Sequence, residues 1–119
     1  MATIKSFTSL EQSKKLAEIL PIESADMIWF HTSAGMSLGA HCNNELINGF
    51  NGKCIENYPA WSLSALLNIL KYPELVQTYD EKWSIADWTG QHPKCLYGKD
   101  TPIDACVEMI IKLHELKML

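Results

Sequence analysis

The chain of 119 residues has no long uninterrupted apolar run, because lysine, histidine or glutamate breaks each of the longest candidates. A membrane-spanning helix needs about 20 consecutive, mostly apolar residues, so the sequence predicts a protein without a membrane span. The opening residues, MATIKSFTSLEQSKK, contain no apolar stretch after their lysines. That pattern is unlike a secretory signal peptide, and we therefore expect the protein to be cytoplasmic.

The sequence also lacks a cluster of basic residues. Ten basic residues stand against fourteen acidic ones, which gives a formal net charge of −4. The pair Lys14-Lys15 lies between Glu11 and Glu18 at i,i+4 spacing, which is typical of a solvent-exposed helix face. Nucleic-acid binding requires cations that displace counterions from phosphates, so we expect no nucleic-acid partner.

The common catalytic and phosphate-binding motifs are missing. No serine occurs in a G-x-S-x-G sequence, and the glycines of AGMSLGA (34–40) have the wrong spacing for a phosphate-binding loop. The adjacent carboxylates Asp80 and Glu81 fall in a turn sequence and are expected to be solvated. These absences favour a protein that is not an enzyme. Repeats, low-complexity tracts and linkers are missing too, which predicts a single domain spanning residues 1–119.

The four cysteines allow a zinc hypothesis, although the sequence has no pair of C-x₂-C knuckles. Only His92 and Cys95, in HPKC, have knuckle spacing. Neighbouring residues of an extended strand point to opposite faces, so His41 and Cys42 would not both bind one ion. The alternative ligand set is therefore Cys54, His92 and Cys95 with either His41 or Cys42. Lone cysteines in reduced proteins are usually small buried hydrophobes, so we expect no metal and no cofactor.

The stretch HCNNELINGFNGKC (41–54) leaves open whether two of these cysteines meet. A three-residue hairpin loop at 47–49 would place Cys42 directly across from Cys54. A two-residue turn at Asn48-Gly49 would shift the register by one residue and put the two cysteines on opposite faces.

A thiol enzyme is a further alternative. Cys54 or Cys95 could act as a nucleophile with His92 as its base and Asp87 orienting that base. No local sequence marks either cysteine as catalytic.

Three helices are predicted from caps and apolar spacing. The first begins in FTSLEQSKKLAEILP, with a capping box formed by Thr8 and Glu11 or by Ser9 and Gln12. In the second, WSLSALLNILKYP, Ser62 is the expected N-cap of a leucine face. The third, TPIDACVEMIIKLHELKML, is capped by Thr101 and is apolar over more than half of its circumference. We expect its apolar side to include Leu116, and His114 to lie at the edge of the core.

Strand patterns lie between the helices, at DMIWF (26–30), at KCIENY (53–58) and on both sides of a turn at 80–82 in ELVQTYDEKWSIADW (74–88). The order of elements predicts an α+β fold in which three helices pack on a small antiparallel sheet.

Aromatic residues supply the strongest sign of binding, with four tryptophans and four tyrosines in the chain. On the predicted strand, Trp83 and Ile85 share one face and Trp88 lies on the other. Tyrosine and tryptophan are favoured at protein interfaces, and we choose Trp88 and Phe50 as candidate binding residues. The alternative is that the C-terminal helix or an adjoining loop covers Trp88. The segment 31–53 is expected to be a surface loop.

The segments SADMIWF, YPAWSLSALLNIL and DTPIDACVEMIIKLHEL resemble a group of small uncharacterised proteins of Bacteroidetes genomes and their phage-like or mobile elements. The resemblance covers most of the chain except 31–57, and it implies no activity and no site residues. The sequence thus predicts a small non-catalytic interaction or accessory protein, whose partner is another protein or a second copy of itself.

Overall fold

The computed structural model describes residues 6–32, 35–40, 58–89 and 92–119. It confirms the α+β class, with three α-helices and two three-stranded antiparallel sheets where the sequence predicted one sheet. The described residues fall into two compact units: an N-terminal unit, Phe7–Ala65, and a C-terminal unit, which consists of Leu66–Leu119 together with Ser6. The single domain spanning 1–119 stays a prediction. Within the described residues, no helix has both the length and the apolar character that a membrane span requires.

The described part of the N-terminal unit contains one complete helix and one sheet. Helix α1 spans Leu10–Ala17, and a short 3₁₀ turn follows at Ile22–Ser24. Strands β1 (Met27–Thr32), β2 (Gly35–Ala40) and β3 (Tyr58–Ala60) form a sheet in the order β2-β1-β3, and α1 packs against β3. Of the two predicted capping boxes, the structure forms the one between Ser9 and Gln12. Each side chain accepts a hydrogen bond from the backbone N–H of the other residue.

Thr8 is the polar centre of this unit. Its Oγ1 accepts a hydrogen bond from the backbone N–H of Trp61 (3.1 Å) and lies 2.8 Å from the Ser13 hydroxyl. Its backbone N–H donates to the carbonyl of Trp61, and its own carbonyl accepts from Nε1 of Trp29. Thr8, Ser13 and Trp61 are all fully buried, so each bond satisfies a polar group that has lost its water.

Helix α2 spans Leu63–Ile69 and begins where the sequence predicted. The Ser62 hydroxyl accepts from the backbone N–H of Ala65, which confirms Ser62 as the N-cap. The carboxylate of Asp26 holds this cap, because it accepts from both the backbone N–H and the hydroxyl of Ser62.

The C-terminal unit contains strands β4 (Pro73–Gln77), β5 (Trp83–Asp87) and β6 (Lys94–Lys99), in the order β4-β5-β6. The predicted hairpin at 74–88 is confirmed as the β4–β5 pair. In its turn, Asp80 accepts from the Thr78 hydroxyl and from the backbone N–H of Lys82. These two hydrogen bonds lower the pKa of Asp80 below its ordinary value.

Helix α3 spans Pro102–Glu115 and packs against β5 and β6. Thr101 caps it by accepting from the backbone N–H of Asp104 at 3.0 Å, as predicted. The following residues of this helix are buried, a set that covers more than one of its sides: Pro102, Ile103, Ala105, Cys106, Val107, Met109, Ile110 and Leu113. Two expectations at its C-terminal end are wrong, because the helix ends at Glu115 and both Leu116 and His114 are exposed.

Two strands were not predicted. Strand β2 lies inside the segment 31–53 that was expected to be a loop, and it pairs with β1 from Met27 opposite Ala40 to Thr32 opposite Gly35. Its sequence, GMSLGA, is rich in glycine and has weak intrinsic strand preference, so the pairing with β1 overrides it. Strand β6 follows Pro93 and contains Gly98, which both read as loop residues. Of the predicted strand 53–58, only Tyr58 falls within the described residues.

The hydrogen bonds of Thr8 generate a stability prediction. We expect Thr8→Val to lower the free energy of unfolding by about 1 to 3 kcal/mol, because it leaves the buried N–H of Trp61 without an acceptor. Thr8→Ser keeps the hydroxyl and is expected to cost less. Urea unfolding followed by tryptophan fluorescence measures both variants, and equal losses for valine and serine would contradict the role of the hydroxyl.

Candidate functional site

The register of the C-terminal sheet assigns every strand residue to one of two faces, because directly opposite residues point to the same side. Ile85 lies opposite Leu75 of β4 and Leu96 of β6, and it is almost completely buried. Because α3 packs on β5 and β6, we define this side as the helix-covered face. We define the opposite side as the open face, and its described residues are Tyr72, Glu74, Val76, Ser84, Ala86, Trp88, Cys95 and Tyr97.

Strand β6 contains a β-bulge, which determines the face on which its last residue, Lys99, lies. The register shifts between Trp83 and Ile85, so that two residues of β6 lie opposite Ser84 alone. Gly98 takes a φ of 70°, a left-handed conformation that glycine adopts without strain and that is typical of such bulges. The bulge returns Lys99 to the helix-covered face, where it forms an ion pair with Glu108 of α3.

The open face presents large side chains to solvent. Tyr72 is 65% exposed, Trp88 51%, Tyr97 72% and Val76 47%. Trp88 is thereby the most exposed tryptophan of the chain, since Trp61 is fully buried and Trp29 and Trp83 are half-buried. The candidate binding residue Trp88 is thus accessible, whereas Phe50 lies outside the described residues.

Small side chains lie between the large ones. Across the sheet, Ala86 pairs with Glu74 on one side and with Cys95 on the other, and Ser84 pairs with Val76. Tyr72 and Trp88 stand at one end of this strip, and Val76 and Tyr97 stand near the other. The open face therefore has small side chains at its centre and larger apolar side chains at both ends.

An open depression lies at the Trp88 end of the face, lined by Tyr72, Pro73, Glu74 and Trp88. The backbone pairing continues one residue past the strands, because the N–H of Trp88 donates to the carbonyl of Tyr72 at 3.1 Å. The indole Nε1–H of Trp88 donates to Oε2 of Glu74 at 3.0 Å. This bond fixes the edge of the indole ring beside a carboxylate. Glu74 is the single charged residue among the eight described residues of the open face.

Cys95 and Tyr97 form a polar pair at the other edge of the face, two residues apart on β6. A hydrogen bond with the Cys95 thiol, and after that the charge of its thiolate, raise the pKa of Tyr97. Tyr97 presents both an apolar ring and a hydrogen-bonding tip.

With Cys95 as the nucleophile, the thiol-enzyme hypothesis requires Cys95 and Asp87 to contact the same imidazole, that of His92. The register places them on opposite faces, since Cys95 pairs with Ala86 while Asp87 pairs with Lys94. Asp87 is fully buried, and its Oδ1 accepts from the backbone N–H of Thr89 at 2.9 Å. His92 is exposed. The structure therefore does not assemble Cys95 and Asp87 into one catalytic site, and Cys54 lies outside the described residues.

The zinc hypothesis involves His92 and Cys95, which are described, and three residues that are not. In the described segments, no three histidine, cysteine or acidic side chains are grouped so that they could hold a metal ion. His41, Cys42 and Cys54 fall outside those segments, as does the hairpin register that would decide whether the two cysteines meet. Ligation by His92 and Cys95 thus stays an untested alternative.

Cys106 is a structural thiol. It is fully buried on α3, and burial raises its pKa to about 12. The thiolate is the reactive form of cysteine, so this side chain is unreactive at neutral pH.

The division into two faces predicts losses of stability of different size at Ile85 and at Trp88, which lie three positions apart. Ile85→Ala should lower the free energy of unfolding by about 2 to 5 kcal/mol, because it leaves a cavity beneath α3. Trp88→Ala removes a larger side chain but one that is exposed, and should cost less than about 1 kcal/mol. Chemical denaturation of both variants measures the difference, and comparable losses would show that Trp88 is packed in a core.

The raised pKa of Cys106 predicts a pH-dependent contribution to stability. The unfolded thiol loses its proton near the ordinary pKa of 9, whereas the folded thiol keeps it until about pH 12. Between these values the unfolded state binds fewer protons, so this contribution to the free energy of unfolding falls as pH rises. We expect the stability advantage of the wild type over Cys106→Ala to narrow above about pH 9 in denaturation experiments. A constant difference would contradict the assignment.

No protein-family model matches the chain, and neither a curated protein nor a solved structure is significantly similar to it. The resemblance to small Bacteroidetes proteins therefore stays a prediction.

Proposed function

We propose that this protein is a non-catalytic interaction protein that binds a protein partner through the open face of its C-terminal sheet. The observation that carries the proposal is the exposure of Tyr72, Val76, Trp88 and Tyr97 on one side of a sheet whose other side is covered by α3. Several large apolar groups exposed together on one face of a folded protein are typical of an interaction site.

The composition of the face fits protein recognition. Tyrosine and tryptophan bury much apolar area with few rotatable bonds, so they lose little conformational entropy on binding. Charged residues are depleted at the centres of interfaces, and Glu74 is the only one among the described residues of this face. The strip of Ser84, Ala86 and Cys95 between the larger groups leaves space for an extended segment of the partner.

The depression beside Trp88 also favours a macromolecular ligand over a small substrate. Pockets that bind small molecules enclose most of the ligand's surface. Here four residues line an open depression, and Tyr72 and Trp88 are each more than half exposed. Such a depression suits one side chain that is held in place by contacts along the rest of the face.

The cellular setting belongs to the same proposal. We infer a cytoplasmic accessory protein, with a mobile element as the suggested context from sequence resemblance. The free thiols of Cys95 and Cys106 are consistent with a reducing compartment.

Selection from a random peptide library on the immobilised full chain tests this function. Selected peptides should lose at least about tenfold in affinity with Trp88→Ala or Tyr97→Ala, as expected for interface residues that contribute more than about 1.4 kcal/mol. Tyr79→Ala is the matched control, because Tyr79 is fully exposed but lies in the β4–β5 turn, outside the open face.

Two results would contradict the proposal. One is the absence of any selected peptide whose binding depends on Trp88 or Tyr97. The other is an equal loss of affinity with Tyr79→Ala, which would show that the peptides respond to exposed aromatic rings in general. Light scattering of the wild type and Trp88→Ala adds a test for a second copy as the partner, since a dimer formed through this face dissociates in the variant.

A further inference from the structure

We propose that the depression lined by Tyr72, Glu74 and Trp88 receives an arginine side chain from the protein partner. This inference rests on the proposed function and names the chemistry that the open face recognises. Its basis is the combination of two exposed aromatic residues with a carboxylate in one open depression.

The aromatic groups provide the first half of the recognition. The faces of indole and phenol rings attract cations, and arginine is the side chain most often found in such contacts. Tyr72 and Trp88 are adjacent across the continued β4–β5 pairing, so their rings line the same depression. Pro73 lies between Tyr72 and Glu74 and adds an apolar wall.

Glu74 provides the second half. Its Oε2 accepts the indole N–H of Trp88, which orients the carboxylate beside the ring. An ionised carboxylate has about four acceptor positions, so this bond leaves capacity for the N–H groups of a guanidinium. Because no cationic residue is among the described members of the open face, the charge of Glu74 is not compensated there by a side chain of the same face.

Arginine can contact the aromatic rings and the carboxylate of Glu74 at the same time, which lysine does less well. Its planar guanidinium stacks on an aromatic ring and at the same time directs N–H groups at a carboxylate in its plane. The ammonium of lysine is a compact, strongly hydrated charge that does not stack. The chain itself contains no arginine, so a second copy cannot supply the guanidinium and the occupant comes from a different protein.

Proton–nitrogen NMR of the full chain tests the inference directly. The probe is the capped tripeptide acetyl-Gly-Arg-Gly-amide, and the matched control replaces arginine with citrulline, which has nearly the same shape but no charge. The signal of the Trp88 indole N–H, assigned by its loss in Trp88→Phe, should shift and saturate with the arginine peptide. The citrulline peptide should leave it unchanged.

A variant of the carboxylate supplies a second readout. Glu74→Gln keeps an oxygen acceptor for the indole N–H but removes the charge. We expect this variant to bind the arginine peptide about fivefold or more weakly, because it loses a charge-assisted hydrogen bond. Glu74 is exposed, so this variant should fold, which circular dichroism verifies. Equal shifts with arginine and citrulline, equal binding of a lysine peptide, or unchanged binding to Glu74→Gln would each overturn the inference.

The outcomes separate this inference from the proposed function. Selected library peptides that require Trp88 and Tyr97, contain no arginine and bind Glu74→Gln normally would leave the open face as a binding surface while removing arginine as its ligand. An arginine peptide that titrates the Trp88 indole, without any library peptide that depends on Tyr97, would support the depression and contradict binding along the whole face.

Discussion

The structure of the C-terminal unit depends on the burial of Ile85 beneath α3. Ile85 lies at the centre of the three-stranded sheet, with Leu75 and Leu96 directly opposite it on the neighbouring strands. Because side chains alternate along a strand, burying Ile85 commits Ser84, Ala86 and Trp88 to the other side. A slip of one residue would reverse every assignment and expose the core, so the same packing that stabilises the unit also holds its aromatic residues in solvent.

Different interactions stabilise the two units. In the N-terminal unit, Thr8 connects Trp29, Trp61 and Ser13 through hydrogen bonds, several of them buried. In the C-terminal unit, apolar residues of α3 cover one face of the sheet, and the ion pair between Lys99 and Glu108 lies at its margin. The open face is not needed for either arrangement. Its large apolar groups stay exposed, which is why we propose that they bind a partner.

Many features of the fold could be predicted from the local sequence. The caps at Ser9, Ser62 and Thr101 depend on residues three positions away, and the opposite orientation of Ile85 and Trp88 depends only on strand alternation. The depression could not be predicted, because Glu74 meets Trp88 only through the register of β4 and β5. Strand β6 was missed since Gly98 reads as a loop residue, although its left-handed conformation forms the bulge. The i,i+2 spacing of Tyr72, Glu74 and Val76 places all three on one face of a strand, and this spacing could have identified the open face.

The central claim is that the aromatic groups of the open face are accessible in the free protein and become covered when a partner binds. Hydroxyl-radical footprinting with mass spectrometry measures this residue by residue, without substitutions. We expect Tyr72, Trp88 and Tyr97 to be oxidised much faster than the buried Trp61 in the free chain, and to be protected by a selected peptide while Tyr79 is not. Slow oxidation of Trp88 and Tyr97 in the free chain, or unchanged rates with peptide bound, would contradict the account.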